Sequence, residues 1–279
     1  MNNIDFSVAM SVYKNDNAEF FLRAIESITD EQTVKPAEIV LVVDGQVGDD
    51  LGAAISDCEK KYAYMKVIRL AQNGGLGNAL RIAVENCSYE LIARMDSDDV
   101  AVSDRFEQQL CYFSDGSECD IVGGDITEFI DSEDNVVGKR SVPTTHEEIT
   151  EYMKSRCAFN HPTVMFKKSV VLAVGGYIDW FWNEDYYLWI RMQLGGAKFA
   201  NTGSVLVNMR SGTDMYARRG GKKYFDSEKK LQKFMLDNKM ISKATYFKNV
   251  LKRWIVQCCL PNKLRGWVFR KFARQKISK

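Results

Sequence analysis

The chain has 279 residues, 46% hydrophobic and 27% charged, with four prolines and 19 glycines, a globular composition that excludes disordered, collagen-like and low-complexity classes. Its net charge of +1 conceals an asymmetry: residues 238–279 hold 12 Lys and Arg and no Asp or Glu, while the remainder carries 26 basic against 37 acidic residues. An acidic body with a basic tail points to a polyanionic surface as partner.

In chain order, FSVAMSVY (6–13) reads as a strand, followed by a helix with Phe21, Ala24, Ile25 and Ile28 on one face and the Asn15-Asp16-Asn17 cluster as its N-cap. EIVLVVD (38–44) is a second strand, apolar on both faces as a buried parallel strand should be. A helix through Leu51 and Ile55, the strand MKVIRL, a helix from Leu76 to Asn86 and the strand ELIARM (90–95) complete a βαβαβαβ half. Alternation then ceases: DIVGGDITEFI, TVMF and SVLVNM read as strands, DSEDN as a turn, and Asp185 opens a helix carrying Leu188, Trp189 and Met192, which together predict a mixed-sheet region. From Tyr246, Phe247, Val250, Leu251, Trp254, Ile255 and Cys258 recur at helical spacing among Lys and Arg. This describes an interfacial helix on anionic lipid; a terminal helix packed on the body explains the apolar stripe but not the missing acids.

No uncharged apolar run approaches the roughly 18–20 residues that span a bilayer, and MNNIDFSVAMSVYK lacks the features of a signal peptide, so a cytosolic protein or one held on a cytosolic surface is expected. The seven cysteines show no CxxC or Cys/His ligand spacing and read as reduced packing residues.

Ligands of open α/β sheets bind beyond the carboxyl ends of the strands. The first, second and fourth strands end in Ser11-Val12-Tyr13, Asp44-Gly45 and Asp96-Ser97-Asp98-Asp99. In an extended segment Asp96 and Asp98 point one way and Ser97 the other, and hard carboxylate oxygens suit Mg2+ or Mn2+, whose remaining ligands come from water and substrate phosphates. A lone DxD is a weak signal, strengthened here by its place directly after an apolar strand. Asp44 alone reads as a turn residue before Gly45, with a contact to a bound base as the functional alternative. The glycines of Asn73-Gly74-Gly75-Leu76-Gly77 allow a close turn into a helix whose N–H groups either face a ligand or are simply capped; Leu80 stands where a dinucleotide fingerprint needs its third glycine. Trp180, Trp182, Glu184 and Asp185 are either core aromatics with acids at a helix N-terminus, or a sugar platform beside a general base. His161, before Pro162, reads by default as a structural turn histidine.

FSVAMSVYKND, EIVLVVDG, NGGLGNALRIA, ELIARMDSDDVAVSDRFEQQL, NHPTVMFKKSVVLAVGGY and WNEDYYLWIRM, in this order and spacing, resemble the bacterial family 2 glycosyltransferases that build O-antigen and exopolysaccharide repeat units, the amylovoran-type sugar transferases. The resemblance runs from about Phe6 to Asn208. It implies an α/β GT-A fold, a Rossmann-like mixed sheet flanked by helices, to which the composition adds a basic amphipathic C-terminal helical tail. The expected organisation is a catalytic domain over 1–237, with a nucleotide-binding half (1–100) and an acceptor-binding half (101–237), then a membrane-associating tail (238–279).

By the same resemblance Ser11, Tyr13 and Asp44 bind uridine, with Asn73 and Gly75 beside them; Asp96 takes the ribose or metal, Asp98 the Mn2+ or Mg2+ that bridges the diphosphate, and Asp185 acts as catalytic base. Trp180, Trp182, Glu184, His161 and Arg210 are the candidates for the acceptor or a diphosphate; Arg210, Arg218 and Arg219 either neutralise a donor or acceptor diphosphate or are solvated charges. Arg81 stands where the family commonly has asparagine, and Ser103 where it has proline. The implied reaction is an inverting displacement that carries a hexose from UDP-Glc or UDP-Gal to a lipid-diphosphate-linked sugar such as GlcNAc-diphospho-undecaprenol. It places the protein peripherally on the cytoplasmic face of the bacterial inner membrane, with no nucleic-acid partner. The competing readings are a metal-dependent phosphohydrolase, which shares a DxD after a strand, and a membrane or nucleic-acid binding module without catalysis.

Overall fold

Runs of apolar residues buried on both faces build the centre of the sheet. In the computed structural model, which describes residues 4–114, 116–212 and 220–261, β1 (Phe6–Val12), β2 (Glu38–Val43), β3 (Met65–Arg69) and β4 (Leu91–Arg94) are all parallel. They alternate with α1 (Ala18–Ile28), α2 (Asp49–Lys61) and α3 (Leu76–Asn86). Asn17 Oδ1 starts α1 by accepting from the backbone N–H groups of Glu19 (2.8 Å) and Phe20 (3.1 Å). Pleating sends Val40 and Val42 of β2 into a core with α3, and Ile39, Leu41 and Val43 into another with α1 and α2.

The second half adds β5 (Val100–Ala101), α4 (Arg105–Leu110), β6 (Ile121–Phe129), β7 (Val136–Arg140), α5 (His146–Met153), β8 (Met165–Lys167), α6 (Lys168–Ala173), α7 (Glu184–Leu194) and β9 (Phe199–Arg210). The strand order is β3-β2-β1-β4-β8-β6-β9-β5, with β7 paired to β6. β8 runs antiparallel to both β4 and β6, so the mixed sheet expected from the lost alternation is present. The strand order reverses at β1, which lies between β2 and β4, and the crevice beyond the ends of β1 and β4 is therefore the topological switch point.

Two further helices, α8 (Lys222–Asp237) and α9 (Lys243–Trp254), pack against each other and against the end of α5. α9 continues into a π-helical turn at Ile255–Cys259. It is packed on the body, as the competing terminal-helix reading has it, through Tyr246 and a set of polar groups. Asn249 Nδ2 donates to Lys154 O (2.9 Å) and Gln232 Oε1 (2.8 Å); Arg253 pairs with Glu228 and donates from Nη2 to Ser155 O (2.8 Å). Among the described residues no helix is long and apolar enough to cross a membrane. Arg218, Arg219 and residues 262–279 lie outside the described residues.

Candidate active site

Three strand ends converge on the crevice. At the end of β2, Asp44 is 4% exposed and its carboxylate organises the glycine loop before α3: Oδ1 accepts from Gly74 N (2.7 Å), Oδ2 from Gly75 N (2.9 Å) and Asn73 Nδ2 (2.9 Å). Gly45 makes this possible, since its φ is +86° and a Cβ there would stand 2.8 Å from Asn73 N. Asp44, Asn73 and Gly75 therefore form one unit, with Asp44 as its buried anchor. Ser11 and Tyr13 lie beside it at the end of β1, Tyr13 exposed. Arg81 is turned along α3, bonded to Glu85 (2.9 Å) and Asn78 (2.9 Å).

At the end of β4, Asp96 receives both terminal nitrogens of the buried Arg94. Beneath it the fully buried Arg105 donates from Nη2 to Arg94 O (2.6 Å), and burial, reinforced by Arg94, pushes its pKa down to about 9. Ser97 and Asp98 lie in a bend and not in the extended segment that alternation assumes; Ser97 donates to Asp16 Oδ2 (2.9 Å), which also accepts from Tyr13 N (3.1 Å). Asp98 reaches the surface. Loss of water around it, then the charges of Asp96 and Asp16, push its carboxyl up to about 6, and burial, then the charges of Asp96 and Asp98, raises Asp99 well above the ordinary carboxylate range. Asp99 Oδ1 accepts from Arg210 N (2.9 Å), while its Oδ2 is buried without a hydrogen-bond partner. Among the described residues no three His, Cys, Asp or Glu side chains form a complete metal cage.

Arg210 is placed as a clamp. Its guanidinium lies 3.7 Å from the Phe20 ring centre and 4.7 Å from that of Phe129, and donates to Asp98 O (3.1 Å) and Asp131 O (3.2 Å). It grips the backbone of the DSDD loop.

The other wall is the N-terminus of α7. Glu184 and Asp185 open this helix, which packs on α3 at Gly77, where even a Cβ would make only ordinary contacts, 3.4 Å from Glu184 Cβ and 3.5 Å from Asp179 Cα. Burial, then the Asp185 charge, pushes Glu184 up to about 7. Cys157 Sγ stands 4.0 Å from Asp185 Oδ2, and burial pushes that thiol up to about 12, so it is neutral. His161 Nε2 lies 2.9 Å from Tyr177 Oη. One edge of the residue is accessible, but the ring's packed surroundings, then Arg94, drive its pKa well below 6.5, so the imidazole is uncharged. Arg94 thus acts on Asp96 on one side and on His161, Tyr177 and Glu184 on the other.

The two tryptophans part company. Trp180 stacks on Tyr187 at 4.2 Å and donates to Ser227 O (3.3 Å), tying its loop to α8. Trp182 is 46% exposed and has φ +58°, a left-handed conformation that a bulky residue adopts only under strain. Sequence reading overlooked Arg94, Asp16 and Arg105. An arginine inside an apolar strand, two residues before an aspartate and hence on its face, was the available signal for Arg94.

A crevice at the switch point, a DxD loop and a facing acidic helix N-terminus on a mixed, helix-flanked sheet define a GT-A-type sugar-nucleotide transferase. Solved structures agree on the fold: Staphylococcus aureus TarS (residues 1–349, with UDP-GlcNAc) superposes with a TM-score of 0.64 at 15% identity over 90% of this chain and 73% of that one. The mannosyltransferase PcManGT of Pyrobaculum calidifontis, with GDP-Man and Mn2+, gives 0.62 at 13% over 96% and 75%. In another TarS structure the chain spans 44% of that protein's length. The model of glycosyl transferase family 2 matches residues 7–172, and the chain belongs to that family. It is 35% identical over 270 residues, 97% of each chain, to an Escherichia coli UDP-Gal:alpha-D-GlcNAc-diphosphoundecaprenol beta-1,3-galactosyltransferase. It is 34% identical to the amylovoran biosynthesis glycosyltransferase AmsE of Erwinia amylovora, over 83% of this chain and 85% of that one. The protein is a glycosyltransferase; no comparison supports a phosphohydrolase or a non-catalytic module.

Proposed function

We propose that the chain is a metal-assisted, inverting hexosyltransferase that moves Gal or Glc from UDP to a GlcNAc-diphosphoundecaprenol acceptor in O-antigen or exopolysaccharide repeat-unit synthesis. It would work on the cytoplasmic face of the inner membrane, its residues from 238 onward meeting anionic lipid. The observation that carries this reading is the end-to-end similarity to the E. coli galactosyltransferase.

The donor set suits Mn2+ or Mg2+: Asp98 and Asp96 offer hard oxygens at the crevice, and the raised pKa of Asp98 reflects loss of water and then the charges of Asp96 and Asp16, which a cation would offset. Bound there, the ion supplies charge neutralisation of the departing diphosphate. Arg94 holds Asp96, and Arg210 holds the backbone of Asp98. Asp44 shapes the Asn73–Gly75 loop against the nucleotide, beside Ser11 and Tyr13. Trp182 presents an exposed face to the acceptor sugar, while Trp180 serves the wall behind it. Asp185 takes the proton of the acceptor hydroxyl as that oxygen attacks the anomeric carbon, and UDP leaves from the opposite side.

The test is transfer from UDP-Gal and UDP-Glc, with Mn2+, to a synthetic GlcNAc-diphospho-lipid. Asp185→Asn should lower turnover by about 10² to 10⁴ with UDP-sugar binding retained. Transfer by that variant at near the original rate would overturn the assignment.

A further inference from the structure

Helices on protein surfaces turn apolar residues inward. α9 keeps Tyr246 against the body but turns its main apolar stripe outward. Phe247, Leu251, Trp254 and Ile255 are 67, 57, 48 and 43% exposed, and their spacing places them within about 100° of arc on one helical face. The opposite face carries Asn249, buried, and Arg253, half-buried, against α8 and the segment after α5. The Arg253–Glu228 pair is 12% exposed on each side, so rolling the stripe inward would strand two charges. The stripe is held outward by a polar seam.

We propose that this face of α9 seats the enzyme on an anionic bilayer as a preformed, rigidly oriented surface; the proposal deepens the reading above that the acceptor is lipid-linked. Charge selects the occupant. Lys243, Lys248 and Lys252 are exposed on the same helix, and residues 262–279 add seven Lys and Arg without one acid. A second copy of the chain would set two such basic regions against each other. An anionic lipid surface meets both the apolar stripe and the cations, with Trp254 at the depth where amphipathic rings settle.

The full-length protein is sedimented with vesicles of phosphatidylcholine alone or with phosphatidylglycerol, and assayed separately with UDP-Gal and a short-chain, water-soluble GlcNAc-diphospho acceptor. The wild type should bind the anionic vesicles and be released by salt. A Phe247→Ser, Leu251→Ser, Trp254→Ser triple variant should bind at least tenfold more weakly, with transfer to the soluble acceptor and melting midpoint unchanged. Lys248→Glu with Lys252→Glu should weaken binding to anionic vesicles only. Vesicle binding by the triple variant equal to wild type overturns the proposal, as does a wild-type dimer that the triple variant converts to monomer. No transfer to the soluble acceptor by the wild type would count against the substrate reading, whatever the vesicles show.

Discussion

Replacing Glu184 by Gln probes the acidic pair at the start of α7 with one variant and two independent readouts. Burial and the neighbouring Asp185 carboxylate lift Glu184 from 4.5 to about 7. At about 1.4 kcal/mol per pKa unit, that rise sets a ceiling of ~3 kcal/mol on what an ionised Glu184 costs the fold. Because the folded value lies above the unfolded one, the cost is absent below about pH 4.5, grows through the interval and is complete above about pH 7. The amide of Gln is also buried there, so about 1–2 kcal/mol of the ceiling should be recovered at pH 8 and nothing at pH 4. Thermal melts across that range should show a midpoint a few degrees higher at pH 8, converging at pH 4. In the kinetic readout, Glu184 carries its charge only above about pH 7, so the Gln variant should leave the acid limb of kcat/KM in place, with the plateau nearly intact and any change confined to the alkaline side. Parallel stability curves at pH 4 and pH 8 would refute the cost of the buried charge, a displaced acid limb would refute the protonated state of Glu184 below about pH 7, and loss of transfer at every pH would make Glu184 the base.

Asp98→Ala should abolish Mn2+-dependent UDP binding in calorimetry and leave the metal-free protein at least as stable as the wild type, because it removes one carboxylate from a crowded acidic loop; metal-dependent binding by the variant would refute the site. Gly124→Ala should cost about 1–3 kcal/mol in a denaturant titration, since a Cβ there would meet Leu206 at 2.6 Å and Ser204 O at 2.9 Å where β6 bulges against β9; an unchanged midpoint would contradict that packing.

The parallel half was legible because its strands are buried on both faces and its helices follow at regular intervals. β5, two residues long, and β7, largely exposed, offer no comparable pattern. α8 buries only Ser227, Leu231, Gln232 and Met235 of 16 residues, too little apolar periodicity to announce a helix. The Asn15-Asp16-Asn17 cluster was legible as a cap, but only Asn17 caps, which leaves Asp16 free to receive Ser97 across 81 residues of chain. Trp180 and Trp182 were equivalent in sequence, and the stacking on Tyr187 separates them. In α9 the spacing was readable and the direction was not, because an amphipathic pattern does not say which of its faces meets the body.

Residues 153–157 connect two places that the division at 237 keeps apart. Tyr186 Oη donates to Met153 O, Asn249 and Arg253 of α9 hold the carbonyls of Lys154 and Ser155, and Cys157 ends the run beside Asp185. Five residues therefore act as a strut between α9 and the start of α7, where the proposed base Asp185 stands. Under the proposed function, an acceptor anchored by its lipid would also meet the enzyme at a set height, and the strut would make the two heights commensurate. Shortening the chain at residue 238 would remove a gauge as well as an anchor.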